Sequence, residues 1–296
     1  MSLFSTITFI LRHPLNRGRK VRAMIEFVRW QAGSRLVPGH VVFNWVAGAR
    51  FIASPGETGV TGNIYCGLHE FADMAYLLHV LRSDDLFVDI GANVGSYTIL
   101  ACAARKAKGC CFEPVPETFE RLMDNLRLND LSGHVEAFNI GLSDKECEMV
   151  FTSGENCANH VVANTENPPD SIRVKVTQLD TILKDKSPSV MKIDVEGFET
   201  PVLAGAHAIL SNKSLHSVIM ELNGSGSRYG FDEDEILKTM SNYGFATYSY
   251  DPFARELAGL GGKNTLSGNT LFVRNKLAVL ERIKMASEVL VGNVRL

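Results

Sequence analysis

The chain has 296 residues, 45% of them hydrophobic and 21% charged, the composition of a globular protein long enough for a sizeable core. A formal charge of -3 gives no overall pull toward nucleic acid, and no stretch approaches the roughly 20 apolar residues of a membrane span. The six cysteines (Cys66, Cys102, Cys110, Cys111, Cys147, Cys157) lack zinc-ligand spacing and read as free thiols in a reducing, cytoplasmic compartment.

Residues 1–80 stand apart. The first 11 are briefly apolar, but Arg12, Arg17, Arg19 and Lys20 follow that run rather than precede it, and no cleavage-site pattern follows. Val21, Met24, Ile25 and Val28 recur at helical spacing within residues 17–31, which predicts an amphipathic helix. Extended pieces follow at 41–46 and 50–53, then a glycine-rich turn region at 56–62. Up to Gly56, Glu26 is the only carboxylate among Arg12, Arg17, Arg19, Lys20, Arg22, Arg29, Arg35 and Arg50. A basic helix-and-hairpin arm results. It either covers the following domain with its charges in water or contacts an anionic partner, such as a membrane periphery or a lipid-linked glycan.

From residue 71 the pattern becomes helix and strand in alternation. Five apolar runs end in a carboxylate or an amide: Leu86-Phe87-Val88-Asp89, Cys110-Cys111-Phe112-Glu113, Val135-Glu136-Ala137-Phe138-Asn139, Val190-Met191-Lys192-Ile193-Asp194 and Val218-Ile219-Met220-Glu221. Short runs of this kind are buried parallel strands. Helices are expected at 71–81, 96–106, 116–128, 200–210 and 232–242. An insert at about 144–186 holds strand-like pieces at 147–151 and 173–176. Runs at 245–250 and 270–274 predict an antiparallel pair at the sheet edge, and a last helix is expected at 276–290. The reading is α/β: an arm (1–80), a catalytic domain (81–275) with helices on both faces of its sheet, and a C-terminal helix (276–296).

Ligands of such sheets bind outside the carboxyl ends of the strands, so these polar strand ends line one crevice. Asp89-Ile90-Gly91-Ala92-Asn93-Val94-Gly95 follows a strand and opens a helix. Gly91 permits a sharp turn and close approach to a ligand, and Gly95 lets the helix start pack tightly. Ala92-Asn93 breaks the glycine spacing of a dinucleotide fingerprint, and Asp89 suits a cationic ligand better than a pyrophosphate. S-adenosylmethionine, with its sulfonium, amine and ribose diol, fits better than NAD. Glu113, before Pro114, could accept both ribose hydroxyls. Within residues 139–144, Asn139, Gly141, Ser143 and Asp144 are candidates for the adenine edge.

The second dense cluster is Lys192-Ile193-Asp194-Val195-Glu196-Gly197-Phe198-Glu199. Strand alternation puts Lys192, Asp194 and Glu196 on one face, and a lysine in a buried strand needs a partner such as Asp194. Asp89-Ile90-Gly91-Ala92-Asn93-Val94-Gly95, Phe112-Glu113-Pro114 and residues 192–199 together resemble the FkbM-type methyltransferases, over residues 84–274. The first 80 residues match that family only loosely, around residues 65–70.

The resemblance implies a Rossmann-like class I fold with a seven-stranded, mostly parallel sheet. It also implies methyl transfer from S-adenosylmethionine, typically to a hydroxyl of a sugar or polyketide. By that resemblance Asp89, Gly91, Asn93 and Gly95 contact the methionyl part, Glu113 the ribose, and Asp194 and Glu196 face the methyl group. Candidate proton acceptors are Asp194, Glu196, Glu70 and, less favoured, His69, with Lys192 beside them. No metal is required, although Asp194 and Glu221 with Glu196 or Asn223 could hold Mg²⁺ through oxygen. Asn156, Asn159, His160, Asn164, Asn223 and Arg228 would give the acceptor pocket a polar lining suited to a glycan or another polyhydroxy molecule. The rival readings are an NAD-dependent oxidoreductase and a non-catalytic S-adenosylmethionine-binding scaffold.

Overall fold

The computed structural model of the chain describes residues 3–36, 39–54, 57–154, 159–163, 166 and 168–296. It opens with helices α1 (Leu3–Arg12) and α2 (Lys20–Leu36), followed by the hairpin β1 (Val41–Asn44) and β2 (Arg50–Ala53). Helix α3 (Thr58–Cys66) then occupies the segment expected to be a glycine-rich turn, and α4 (Phe71–Val80) leads into the sheet. Strands β3 (Leu86–Ile90), β4 (Lys108–Phe112) and β5 (Val135–Phe138) alternate with α5 (Ser96–Ile99) and α6 (Pro116–Leu128). Helix α5 widens into a π turn over Leu100–Ala104. Pro116 at the first turn, with Glu117 beside it, starts α6 where the sequence places it.

The insert forms a small sheet of its own from β6 (Gly141–Leu142), β7 (Cys147–Thr152) and β8 (Ser171–Thr177), and α7 (Leu179–Ile182) follows it. After β9 (Val190–Ile193), the helix expected at 200–210 is two helices, α8 (Glu199–Ala204) and α9 (His207–Ser211). The break falls at Gly205, where a Cβ would lie 2.0 Å from the Ser143 carbonyl oxygen. Strand β10 (Ser217–Glu221) and α10 (Glu233–Asn242) follow, the latter capped by the Asp232 side chain, which accepts from the Asp234 N–H at 3.0 Å. Strands β11 (Ala246–Asp251), β12 (Glu256–Gly259) and β13 (Asn269–Val273) complete the main sheet. Helix α11 (Lys276–Lys284) stops short of the expected 290, and a hairpin of β14 (Leu290–Val291) and β15 (Val294–Arg295) follows.

The main sheet runs β12-β11-β13-β10-β9-β3-β4-β5. Pairings from β10 through β5 are parallel, while β13 is antiparallel to both β10 and β11. This is the Rossmann-like methyltransferase order with one strand more than the seven expected. The extra strand, β12, pairs antiparallel outside β11, so the expected antiparallel pair forms but is not the edge. Apolar residues fill both faces: Phe87 and Ile219 join one buried cluster, and Val88, Ile90, Val218 and Met220 the other. The arm shares the first of these clusters through Ile10, Phe27, Trp30 and Phe51.

Helix α2 reverses the expected orientation. Ala23, Phe27 and Trp30 are its buried residues, and Val21, Ile25 and Val28 are 77%, 53% and 58% exposed. The stripe containing two aromatic rings buries more area than the aliphatic one, and Phe27 meets Tyr65 of α3 edge-on at 5.2 Å. Among the described residues no helix is long and apolar enough to cross a membrane.

Asn125 of α6 ties the arm to the ligand turn. Its amide donates to the Val94 carbonyl at 2.9 Å and its oxygen accepts from the Ile52 N–H at 2.8 Å, with the side chain fully buried. Asn125→Leu strands one backbone donor and one acceptor. It is expected to lower the unfolding free energy by about 2–5 kcal/mol, measured by urea titration with circular dichroism.

Candidate active site

A cavity of about 390 Å³ opens at the carboxyl ends of β3, β4, β9 and β10, a size within the range of small-molecule sites. Its floor is the turn after β3. The Gly91 and Ala92 N–H groups both donate to the Phe112 carbonyl, at 3.0 and 2.9 Å, which folds the turn back over the neighbouring strand. Gly91 has φ +77°, and a Cβ there would lie 1.8 Å from the Asp194 carbonyl oxygen. That position therefore excludes any side chain. Asp89 lies deep in this floor, where Thr98 donates to its carboxylate at 2.6 Å. Burial raises its pKa to about 6.

Glu113 forms the adjoining wall. Its two carboxyl oxygens each accept a backbone N–H, from Asn93 at 2.9 Å and from Val115 at 3.0 Å. One acceptor position remains on each oxygen. Burial pushes this carboxyl up to about 7 despite those two bonds.

Across the cavity, Lys192 is only 1% exposed, and its ammonium donates to Asp194 at 2.9 Å and to Asn269 at 3.0 Å. The same ammonium lies 5.3 Å above the Tyr97 ring. Asn269 relays the contact, donating to Glu70 at 2.7 Å and to Asp73 at 3.2 Å. Burial alone would raise the Asp194 pKa, but the adjacent Lys192 charge and the hydrogen bonds from Lys192 and Glu221 together outweigh it and hold Asp194 below the usual carboxylate range. Burial, and then the Asp194 charge, drive Glu221 the other way, so Glu221 keeps its proton and shares it with Asp194. Glu196 is half-buried at φ +53°, and burial followed by the Asp194 charge raises its pKa.

Asp194, Glu196 and Glu221 present carboxyl oxygens within 4.8 Å of one another. This is a hard, all-oxygen set, in which Lys192 already neutralises Asp194.

The cavity brings together Asp89, Gly91, Ala92, Asn93, Glu113, Pro114, Gly141, Lys192, Asp194, Glu196, Glu221 and Glu70. Four cofactor candidates do not line it, nor do the acceptor candidates His160, Asn223 and Arg228. Gly95 instead packs against α6, where a Cβ would meet Leu122 at 2.6 Å. Asn139 clasps the next loop, donating to the Glu113 and Pro114 carbonyls. Ser143 is buried beneath Gly205, and Asp144 is exposed beside it. Burial keeps His69, on the rim, below its usual pKa, and Phe9 packs on its ring at 5.1 Å. Ser153 and Asn159 reach the cavity from the insert, whereas Arg228 pairs with Glu166 at 3.2 Å. Asn223 caps its own loop through the Ser225 N–H. Asn156, Cys157 and Asn164 lie outside the described residues.

Sequence reasoning missed Asn269, Tyr97 and Asp73. Asn269 could have been found: β13 runs antiparallel and pairs Asn269 with Glu221, so its first residue, not its last, meets the crevice.

Residues 89–246 match the Methyltransferase FkbM domain. The chain belongs to the FkbM methyltransferase family. A hexuronic acid methyltransferase, AglP of Haloferax volcanii, is 31% identical over 58% of this chain and 67% of that protein. Methyltransferase 1 of Beauveria bassiana is 27% identical over 46% of this chain and 64% of its own length. An rRNA methylase of Streptococcus thermophilus superposes with a TM-score of 0.37 at 12% identity, over 68% of this chain and 91% of that one.

In this FkbM methyltransferase the Lys192 ammonium is the one cation buried among Asp194, Glu70 and Glu221 in the described cavity. Lys192→Met leaves those carboxyls uncompensated and is expected to cost about 3–5 kcal/mol of stability, measured by urea denaturation at neutral pH.

Proposed function

We propose that this enzyme transfers a methyl group from S-adenosylmethionine to a hydroxyl of a sugar, glycan or polyketide-like molecule. The observation that carries the reading is the pairing of two chemistries across one cavity: a carboxyl with two free acceptor positions at Glu113, and a lysine-anchored acidic cluster facing it. The Glu113 carboxylate would accept the two ribose hydroxyls. Asp89 and the Gly91 backbone carbonyl would accept from the methionyl amine, and Ile140, Leu142 and Phe151 would enclose the adenine between apolar surfaces. When bound, S-adenosylmethionine supplies an already activated methyl group, so the protein's share of catalysis is alignment and proton removal.

Glu196 is the proposed proton acceptor. Its raised pKa makes it a stronger base than Asp194, and its carboxylate faces the cavity. Asp194, fixed by Lys192, would orient the acceptor hydroxyl toward the methyl carbon. Glu221, holding its proton, would keep a second full negative charge from developing beside Asp194. Glu70, fixed by Asn269, closes the cluster on the arm side. The hexuronic acid methyltransferase among the relatives favours a sugar acceptor, and the polar side chains of Ser153 and Asn159 along the acceptor side agree with that choice.

Glu113 must be ionised to accept two hydroxyls, and hydroxyls donated to it favour the ion. Its pKa therefore falls from about 7 on binding, and binding releases a proton. S-adenosylmethionine affinity is expected to rise up to about tenfold per pH unit below about pH 7 and to level off above it. Calorimetry across that range checks this, and Glu113→Gln should bind more weakly, with a profile that is flat down to about pH 6, where Asp89 begins to titrate. A pH-independent wild-type affinity would remove Glu113 from the ribose site.

Glu196→Gln is expected to lower turnover about a hundredfold or more, with cofactor affinity unchanged. The readout is release of S-adenosylhomocysteine with a panel of uronic acid and neutral glycosides. Undiminished turnover in that variant would move the base to another carboxylate.

A further inference from the structure

The reversed helix α2 leaves an apolar surface that no part of the described chain covers. Val21, Ile25 and Val28 succeed one another along one side of it, at 77%, 53% and 58% exposure, and with Leu11 and Met24 they line a shallow groove between α1 and α2. Leu3 and Phe4, 66% and 81% exposed, extend the apolar area on α1. Isolated surface aliphatics are ordinary, but a continuous patch across two helices marks a contact surface.

The charges around this patch have one sign. Lys20 and Arg29 line the groove itself, and Arg12, Arg17 and Arg22 are exposed nearby on the same two helices or the link between them. The single carboxylate of this segment, Glu26, is taken up by Arg19 at 2.7 Å and Arg22 at 3.1 Å, so it does not offset the rest. The protein as a whole carries -3, which makes this basic surface a local excess rather than part of a general one. Aliphatic and phenyl side chains at the centre with lysine and arginine at the margins are the composition of helices that lie in a bilayer interface. The opposite faces of both helices are held by the core through Ile10, Ala23, Phe27 and Trp30. The surface is therefore presented ready-formed.

We infer that the α1–α2 face docks on an anionic phospholipid bilayer, with Leu3, Phe4, Val21, Ile25 and Val28 entering the interface and Lys20 and Arg29 meeting lipid phosphates. A protein partner would need to match both the apolar stripe and the one-signed rim, and an anionic leaflet supplies both without a specific fold. The arm also reaches the cavity: Tyr65 of α3 packs on Phe27 and accepts from Gln31 at 3.0 Å, and Gly59 and Val60 of α3 line the cavity wall. Helix α3 thus stands between the docked face and the cavity wall. The docking itself does not depend on which acceptor is methylated.

The test is flotation of the full-length protein with vesicles of phosphatidylcholine alone and of phosphatidylcholine mixed with phosphatidylglycerol. Wild type is expected to float with the mixed vesicles, to lose that binding as salt is added, and to ignore the neutral ones. At about fivefold in affinity for each basic residue at such a surface, Lys20→Ala with Arg29→Ala should weaken binding about twenty-five-fold. The triple variant Val21→Ser, Ile25→Ser, Val28→Ser should no longer float, yet unfold at the same urea concentration as wild type. Three outcomes overturn the inference: no flotation at low salt, equal flotation with both vesicle types, or a triple variant that floats like wild type. Concentration-dependent dimerisation of the wild type that the triple variant abolishes, without flotation, would assign the face to a second copy of this chain instead.

Discussion

A single ammonium group organises the acidic side of this molecule. Lys192 stands in the middle of a strand whose other residues are apolar and buried on both sides, a position where a charge survives only if it is fully answered. The answer comes from Asp194 two residues on, from Asn269 on a strand that arrives in the opposite direction, and from the ring of Tyr97. Through Asn269 the same group fixes Glu70 and Asp73 on the helix that enters the sheet. Four elements far apart in sequence thus take their relative positions from one buried charge. The carboxyls it gathers also acquire different proton affinities: Asp194 is ionised because it touches Lys192, and Glu221 is neutral because it is buried and lies beside Asp194.

The other side of the cavity works by a different principle. There the backbone, rather than a charge, sets the geometry. The turn after β3 folds over the Phe112 carbonyl, and two backbone N–H groups orient the Glu113 carboxyl without satisfying it completely. A partly satisfied, buried carboxyl whose pKa stands near neutrality is poised to receive hydroxyl donors. One wall therefore offers vacant acceptor positions, and the other offers carboxyls of graded acidity.

The parallel core of the fold was legible because each of its strands is a largely apolar run, interrupted by Glu136 in β5 and Lys192 in β9, that ends in a polar residue, a pattern that follows from burial in the sheet. The crevice followed from that pattern, and the residues at the ends of β3, β4, β9 and β10 do meet there. What escaped had physical reasons. An antiparallel strand brings its first residue to the crevice, so Asn269 broke the rule by which the others were found. Asn139 ends its strand with an amide, but local carbonyls claim that amide before a ligand can. The single helix expected after β9 is split because Gly205 must let the Ser143 carbonyl come close, a tertiary contact with no local signal. Helix α2 carries two apolar stripes, and hydrophobic periodicity alone does not say which one the core will take. Ring area decided it in favour of Phe27 and Trp30.

The contact between Gly91 and the Asp194 carbonyl joins the two walls. The turn after β3 and the loop after β9 press together so closely that not even a methyl group fits between them, and the Asp194 N–H closes the same joint by donating to Ile90 at 2.9 Å. Neither loop can be displaced without displacing the other, so the spacing between the Gly91 turn and the loop that carries Asp194 and Glu196 is built into the scaffold as a fixed gauge. Diversification of such an enzyme toward new acceptors has to proceed around that gauge, in the insert, in the loop that follows β10 and in the arm. These are the parts of the chain that can change shape while the spacing between the two walls stays constant.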